Sequence, residues 1–376
     1  MQITRLDLRR FRRFDEVSLA PAPGINLITG ENGAGKTSLL EAMHLMAYGR
    51  SFRGRVRDGL LQAGADALEV FVEWQEPHAV VPGNRMHKAG LRHSGQDWSG
   101  RLDGQDVNQL GDLCAALAVV SFEPGSHALV TGAAETRRRY LDWGLFHVEH
   151  DFLPLWRRYS RALKQRNALL KSGRVGDGLD AWEWELAEAG EPISRRRQLY
   201  LEALQTRLTP LLAGLAPALG EVSMEYQPGW RRETLPLADA LLLARDRDLQ
   251  SGHTSVGPHR ADWRILFPHL PGREALSRGQ AKLTALAATL TQAGHHAAAR
   301  GHWPVIALDD LGSELDRQHQ ARVLEQLVDS QAQVFITGTE PPPGLHDVAA
   351  STTVFHVEHG RVEAAASGFP DPVAGS

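Results

Sequence analysis

A short glycine-rich stretch near the start of the chain has the residue types and spacing of a phosphate-binding loop. Two glycines, a lysine and a threonine follow the pattern Gly-x-x-x-x-Gly-Lys-Thr between Gly30 and Thr37. Glycines let backbone amides curl around phosphates, and the start of the following helix adds a positive dipole. Lys36 would neutralise the β- and γ-phosphates, and Thr37 would offer its hydroxyl to Mg²⁺. The predicted loop residues are Gly30, Glu31, Asn32, Gly33, Ala34, Gly35, Lys36, Thr37 and Ser38.

A second stretch, far along the chain, can complete such a nucleotide site. The apolar run 305–308 is typical of a buried strand and ends in Asp309 and Asp310. Asp309 is in the place of the carboxylate that holds the same Mg²⁺ ion. Asp310 follows where a carboxylate orients or deprotonates the attacking water, so it is the predicted catalytic residue. Because aspartate is shorter than the glutamate usual there, we expect slow ATP hydrolysis.

A third motif discriminates among classes of nucleotide-binding proteins. Ser277, Gly279 and Gln280 precede an apolar helix and match the ABC-type signature, which grips the γ-phosphate of a nucleotide held by another head. A serine at this place is also a common helix N-cap. The position between the two other motifs, with Asp316 in the D-loop place, favours the signature. The sequence therefore predicts ATP and Mg²⁺ as cofactors and at least a dimer.

The strand predicted at 334–336 ends without the switch histidine of such ATPases. Thr337 and Thr339 stand there instead. We expect them at most to offer hydroxyls to the γ-phosphate.

The elements that must position these residues follow from apolar periodicity and turn signals. Strand, loop and helix succeed one another through the phosphate loop, an alternating region predicts an antiparallel meander, and two long amphipathic stretches predict a helical hairpin. The ranges are strands 2–8 and 25–29, helix 38–48, meander 68–110, helical stretches 140–171 and 179–215, strands 222–226 and 262–267, and helix 280–300.

The predicted fold class is α/β, an ABC-type P-loop ATPase head with an accessory antiparallel sheet and an inserted helical arm. We expect residues 1–130 to form the N-terminal part of the head and 131–245 the arm. Residues 246–376 would form the C-terminal part of the head, with a disordered tail from about residue 366.

Composition excludes several classes of protein. The 376 residues are 42% hydrophobic and 23% charged, as in an ordinary globular protein, and no run approaches the ~18 apolar residues of a membrane span. The first twenty residues lack the apolar segment of an export signal, and a single cysteine cannot form an internal disulfide. We therefore expect a cytoplasmic protein with no membrane partner.

Positive charge is concentrated in particular stretches. Residues 1–57 hold ten Lys/Arg against five Asp/Glu, and residues 137–174 hold ten against three. Residues 302–376 hold three basic against eleven acidic residues, so the positive potential belongs to particular surfaces. The pattern predicts a polyanionic partner.

Together these residues resemble the RecF family, bacterial recombination-mediator ATPases related to SMC proteins. The likeness extends over nearly the whole chain and implies ATP-dependent homodimerisation on double-stranded and gapped DNA. It also implies weak DNA-stimulated ATPase activity and cooperation with RecO and RecR in loading RecA. The motifs outside the ATPase core that carry it are Leu8-Arg9-Arg10-Phe11-Arg12, Gly49-Arg50-Ser51-Phe52-Arg53, Arg138-Arg139-x-Leu141-Asp142, Lys164-Gln165-Arg166-Asn167 and Gly257-Pro258-His259-Arg260.

If the protein is a DNA clamp, the basic runs are candidate contacts to DNA phosphates. Because no base-reading motif accompanies them, we expect the binding to be sequence-independent. The alternative is that they are solvated helix or loop faces, and Arg138 and Arg139 can instead pair with Asp142 to fix the root of the arm. The candidates are Arg9, Arg10, Arg12, Arg13, Arg50, Arg53, Arg55, Arg57, Arg157, Arg158, Arg161, Lys164 and Arg166.

Two alternatives remain. An SMC-like structural tether needs coiled coils of hundreds of residues, whereas this insert has about a hundred. A transporter ATPase subunit is disfavoured by the arginine runs and by the arm that interrupts the head.

Overall fold

The computed structural model describes residues 1–53, 59–77, 83–173, 178–270, 276–345 and 352–364. Contacts divide the chain into two compact units, one made of Met1–Ser126 with Gln292–Ser376 and the other of His127–Thr291. None of the described helices combines the length and the apolar composition that a bilayer crossing requires. The tail expected from about residue 366 lies outside the described residues.

The described part of the chain contains strands and helices in alternation at its two ends and mainly helices between them. The strands are β1 (Gln2–Phe11), β2 (Phe14–Leu19), β3 (Ile25–Thr29), β4 (Leu68–Pro77), β5 (Asn84–His93), β6 (Trp98–Leu102), β7 (Gln105–Val107), β8 (Val119–Phe122), β9 (Ser223–Gln227), β10 (Asp262–Leu266), β11 (Val305–Leu308), β12 (Val334–Thr337), β13 (Thr352–Glu358) and β14 (Arg361–Ala364). The helices are α1 (Lys36–Tyr48), α2 (Leu110–Ala116), α3 (Ala128–Thr131), α4 (Ala134–Val148), α5 (Phe152–Ser172), α6 (Leu179–Leu215), α7 (Leu237–Ser251), α8 (Arg278–Arg300), α9 (Leu311–Glu314) and α10 (Arg317–Ser330).

The first unit contains a sheet in the order β14-β13-β3-β12-β11-β8. All neighbours from β13 to β8 are parallel, and only the β13–β14 pair is antiparallel. Strands β11 and β12 are buried at every position, as expected of parallel strands covered on both faces. Because β3, β12 and β11 are consecutive neighbours, the loops after them emerge at one edge of the sheet.

Helix α1 follows the glycine-rich loop directly. Leu39, Leu40 and Met43 are almost completely buried, and Gly49 ends the helix in the left-handed conformation with φ 67°. The predicted order of strand, loop and helix is confirmed.

The same unit holds a second, antiparallel sheet in the order β2-β1-β4-β5-β6-β7. The meander predicted over 68–110 corresponds to β4 to β7. The sequence analysis missed β2, in which Phe14, Val17 and Leu19 are buried but two adjacent acidic residues interrupt strict alternation. The Gln333 side-chain amide accepts from the backbone N–H of Ile3 at 2.7 Å and donates to its carbonyl oxygen at 2.8 Å. Gln333, which directly precedes β12, is thereby joined to β1.

The second unit consists mainly of α4 to α7 with the two-stranded sheet β9–β10. The prediction of one helical stretch over 140–171 was wrong, because the helix ends at Val148 and Glu149 has extended backbone angles. A new helix, α5, begins at Phe152 with Pro154 in its first turn, where a missing backbone N–H costs nothing. Helices α5 and α6 form the predicted hairpin, bridged by Arg158 and Glu185.

Candidate nucleotide site

The glycine-rich loop of the first unit needs glycine at both of its ends. Gly30 has φ 142° and Gly35 has φ 124°, a backbone region that other residues rarely adopt. A β-carbon on Gly30 would overlap the carbonyl oxygen of Val357, and one on Gly35 would come within 2.8 Å of the Phe14 ring. The loop therefore passes close to β13 on one side and to β2 on the other.

Lys36 opens α1 and turns back over this loop. Its ammonium group donates to the carbonyl oxygens of Gly30 at 2.7 Å and Glu31 at 2.9 Å. Burial lowers the pKa of Lys36, while the carboxylates of Asp310 and Asp309 oppose that shift. The side chain is thus a mostly buried cation held by neutral carbonyl groups, which suits a site that receives a polyphosphate.

Asp309 follows β11 and is the meeting point of two hydroxyls. Its Oδ1 accepts from Thr37 Oγ1 at 2.8 Å and from Thr337 Oγ1 at 2.7 Å. Burial raises the pKa of Asp309, and the two hydroxyl bonds and the charge of Arg53 oppose that shift. The sheet order therefore brings together the predicted metal residues, Thr37 and Asp309.

Asp310 adopts left-handed backbone angles, φ 53° and ψ 44°, which cost a non-glycine residue roughly 1–2 kcal/mol. Its amide donates to Thr337 Oγ1 at 2.8 Å, and Ser313 Oγ donates to its carboxylate at 2.5 Å. These bonds fix both the backbone and the side chain of the predicted catalytic residue.

Thr37 and Asp309 offer a hydroxyl and a carboxylate, the hard oxygen ligands that Mg²⁺ prefers. Among the described residues no cluster of three or more His, Cys, Asp or Glu side chains can hold a metal. The Thr37 hydroxyl and the Asp309 carboxylate fit an ion whose other ligands are water and phosphate oxygens, as is usual for Mg²⁺ with nucleotides.

Comparison with known proteins fits this geometry. A model of the RecF/RecN/SMC N terminal domain family matches residues 2–363. The DNA replication and repair protein RecF of Stenotrophomonas maltophilia (strain R551-3) is 68% identical over 364 residues, 97% of this chain and 100% of that protein. The chain belongs to the RecF family. The RecF of Shewanella baltica (strain OS155 / ATCC BAA-1091) is 36% identical over 367 residues, 96% of this chain and 99% of that protein.

Solved structures agree with the RecF assignment. The recombination mediator protein RecF-ATP of the RecFOR pathway superposes with a TM-score of 0.85 at 26% identity, covering 97% of this chain and 98% of that one. The Smc head bound to the C-winged helix domain of ScpA gives 0.60 at 15% identity over 97% of both chains, a likeness of fold alone. The predicted family and the predicted ABC-type ATPase fold are confirmed.

In this RecF-family protein the signature motif forms a reciprocal helix cap. Ser277 N–H donates to Gln280 Oε1 at 2.8 Å, and Gln280 N–H donates to Ser277 Oγ at 3.2 Å. Ser277 and Gly279 are exposed. Asp316, in the D-loop place, is exposed too and caps α10 through the amide of His319 at 3.0 Å.

Thr337 and Thr339 differ in position. Thr337 is buried and bonded to Asp309 and Asp310, whereas Thr339 is exposed. That the two threonines at most offer hydroxyls to a γ-phosphate stays a prediction, and in this structure the hydroxyl proton of Thr337 is directed at Asp309.

Several predicted DNA contacts are bonded to carboxylates. Arg9 pairs with Glu16 at 2.9 Å, Arg12 with the buried Glu41 at 2.7 Å, and Arg158 with Glu185. Arg10, Arg13, Arg53, Arg161 and Lys164 are exposed, and Arg50 and Arg157 are half-buried. Arg55 and Arg57 lie outside the described residues.

Arg166 must be withdrawn from the DNA candidates, because its side chain is completely buried. It donates to Glu183 at 2.8 Å, to Asp248 at 2.8 Å and to Thr254 at 2.9 Å. A phosphate could reach it only by displacing two carboxylates in the interior of the second unit.

The proposed pairing of Arg138 and Arg139 with Asp142 is also wrong. Asp142 accepts from Arg197 at 2.8 and 2.9 Å. Arg138 donates to the carbonyl oxygen of Ala261 at 2.7 Å, and Arg139 pairs with Glu135 one turn earlier on α4. Helices α4 and α6 are joined by a long-range ion pair, which helical spacing alone could not reveal.

Sequence analysis did not connect Arg13 with the phosphate loop. Its guanidinium nitrogens lie 3.9 and 4.0 Å from the place that a β-carbon on Gly33 would take. Arg12 and Arg13 form the turn between β1 and β2, and nothing in the local sequence shows which of them faces the loop.

Proposed function

We propose that this RecF-family protein is an ATP-dependent DNA clamp that acts in recombinational repair and at replication forks. The observation that carries the proposal is the convergence of Lys36, Thr37, Asp309 and Asp310 at one edge of the parallel sheet. The names of its relatives, DNA replication and repair protein and recombination mediator, support the cellular role.

In the proposed cycle the loop amides and Lys36 bind the triphosphate, and Arg13 adds a second cation beside Gly33. Thr37 and Asp309 would hold Mg²⁺, which supplies charge neutralisation at the phosphates when bound. Asp310 orients the attacking water or accepts its proton. The short carboxylate makes hydrolysis slow, so that ATP binding closes the clamp and weak, DNA-stimulated hydrolysis releases it.

Closure in this proposal is dimerisation. Ser277, Gly279 and Gln280 of one copy would contact the γ-phosphate bound by the other, with Asp316 at the same seam. The exposure of Ser277 and its place at the start of α8 support that role. The residues 1–130 and 246–376 would act as the head and 131–245 as the arm.

Duplex and gapped DNA would be bound without sequence preference by exposed cations, assisted by the half-buried Arg50 and Arg157. The exposed cations are Arg9, Arg10, Arg53, Arg161 and Lys164. RecO and RecR are proposed partners because the matching RecF-ATP structure belongs to the RecFOR pathway. Loading of RecA would be the product of that cooperation, and such work on chromosomal DNA would be done in the cytoplasm.

A subunit-mixing experiment tests the clamp. Ser277→Arg should leave ATP binding by the monomer intact but block dimerisation, whereas Lys36→Ala should lose ATP binding. Mixing the two variants should restore part of the ATP turnover, because one composite site keeps both Lys36 and Ser277. Light scattering with ATP and duplex DNA reports dimerisation of each variant alone. Normal turnover and dimerisation by Ser277→Arg alone would falsify the action in trans and leave a simple helix cap.

A further inference from the structure

Thr337 connects the Asp309 carboxylate and the Asp310 backbone amide of the nucleotide site through a single hydroxyl. Its Oγ1 donates to Asp309 Oδ1 at 2.7 Å and accepts from the backbone amide of Asp310 at 2.8 Å. The residue ends β12, next to β11 in the sheet, and is 1% exposed. One side chain from the neighbouring strand thus fixes the residue that would hold metal and the residue that would direct water.

The only proton of the hydroxyl is used in this bridge. A threonine hydroxyl has one proton to donate, and here that proton is directed at Asp309. Thr337 therefore cannot donate to a γ-phosphate while it keeps the bond to Asp309. Its role must be exerted through the two aspartates.

The backbone of Asp310 explains why such a bridge is needed. A left-handed conformation at an aspartate persists only where the surroundings determine it. The Thr337 hydroxyl receives the Asp310 amide, and Ser313 and Glu314 donate their amides to the Asp310 carbonyl oxygen at 3.0 and 3.2 Å. The bridge holds the start of the turn, and α9 holds its end.

We propose that Thr337 is a positioning residue for ATP hydrolysis, whose hydroxyl sets the place of the Asp310 carboxylate relative to Asp309. The proposal rests on the hydrolytic function proposed above. It predicts that loss of the hydroxyl slows the chemical step while the phosphate loop still binds nucleotide. The hydrogen bonds of the Lys36 ammonium go to the carbonyl oxygens of Gly30 and Glu31, and those of the Thr337 hydroxyl go to the two aspartates.

The test compares Thr337→Val, which keeps the shape of the side chain and removes the hydroxyl, with Thr337→Ser, which keeps the hydroxyl. Thr289→Val is the matched control, since Thr289 is a buried threonine whose hydroxyl bonds only within its own helix, to Ala285 at 2.9 Å. Asp310→Asn serves as the reference for a damaged water-directing group. ATP affinity in EDTA and in Mg²⁺, single-turnover hydrolysis and melting temperature are measured for each variant.

For Thr337→Val we expect ATP affinity in EDTA within about twofold of the parent and hydrolysis slowed at least about tenfold, close to Asp310→Asn. Thr337→Ser should recover most of the rate, and Thr289→Val should keep it. If the valine variant does not fold, Thr337→Ala replaces it with the same expectations. The proposal is overturned if the variant without the hydroxyl hydrolyses ATP at the parent rate, or if Thr337→Ser is equally impaired. A parent protein that binds ATP but never hydrolyses it would instead contradict the proposed function itself.

Discussion

Buried charges are treated differently in the nucleotide site of the first unit and in the helical second unit. Lys36 is buried against carbonyl oxygens, and burial lowers its pKa. Arg197 is buried too, yet Asp142 and Tyr226 outweigh the effect of burial and its pKa is raised. The helical unit satisfies its own charges, whereas the nucleotide site keeps a cation for a ligand.

The comparison separates structural charges from binding charges within one chain. Arg166 with Glu183 and Asp248, and Arg197 with Asp142, form closed ion pairs whose removal leaves a buried partner alone. Lys36 has no such partner within hydrogen-bonding distance among the contacts described for it. Substitutions of the buried arginines in the helical unit should therefore lower stability, whereas substitution of Lys36 should lower ATP affinity.

The largest effect is expected from Arg166→Leu. The change leaves the buried carboxylate of Asp248 without its cation, and removal of one partner of a buried pair costs about 3–5 kcal/mol. Urea unfolding should show this loss, with ATP affinity unchanged in whatever fraction stays folded. Arg161→Leu on the exposed face of the same helix is the matched control and should change stability by less than about 0.5 kcal/mol.

Lys36→Ala provides the opposite case, with ATP binding lost and the unfolding free energy nearly unchanged. If Arg166→Leu were as stable as the parent protein, the distinction between closed and ligand-directed charges would be wrong. If Lys36→Ala unfolded the protein, the lysine would have a structural role that its carbonyl contacts do not suggest.

Local chemistry could be predicted from the sequence because it occupies consecutive residues. The phosphate loop spans residues 30–37, and Asp309 and Asp310 directly follow an apolar run, so their identity required no knowledge of the fold. The parallel sheet then had to place Thr37 beside Asp309. The family resemblance predicted the fold class because its motifs, too, are short runs of neighbouring residues.

Long-range partners could not be predicted in this way. Arg166 stands in a basic run, but its burial depends on Glu183 and Asp248, 17 and 82 positions away. Asp142 is reached by Arg197 from 55 positions away and not by the nearer arginines. A basic run in the sequence therefore indicates a positively charged surface only where no carboxylate from a distant part of the chain pairs with it.

A moderate effect of pH is expected from His259 in the second unit. Burial lowers its pKa to about 4, and the ring bonds Tyr159 at 2.7 Å and the Thr254 carbonyl oxygen at 2.9 Å, with Arg260 and Arg138 nearby. The unfolded chain takes up this proton near pH 6.5, so the contribution to stability is complete above that pH and is lost as pH falls towards 4.

The lowering of the His259 pKa from 6.5 to about 4 corresponds to about 3 kcal/mol of unfolding free energy. Urea unfolding at pH 7.5 and pH 4.5 should therefore show a steeper loss for the parent protein than for His259→Gln, which keeps an N–H group that can donate to Thr254 but does not titrate. Equal losses for the two proteins would mean that the folded state accepts the proton without cost.

The smallest effect is expected on the exposed face of α5. There, paired and unpaired charges are compared by how strongly DNA binding depends on salt concentration. Lys164 is exposed, whereas Arg158 donates two hydrogen bonds to Glu185. To bind phosphate, Arg158 would have to give up Glu185, and Lys164 would not.

If both side chains face DNA, Lys164→Gln should weaken duplex binding about two- to fivefold and lower the salt slope by about one. Arg158→Gln should change the slope less, because the cation that it removes is already paired with Glu185 and so neutralises less phosphate charge. Fluorescence anisotropy with one duplex at several salt concentrations measures both slopes, with Lys171→Gln, exposed at the end of the same helix, as a reference for a general loss of charge. Identical slopes for all three variants and the parent would place the DNA surface away from α5 and return its arginines and lysines to the role of solvated charges.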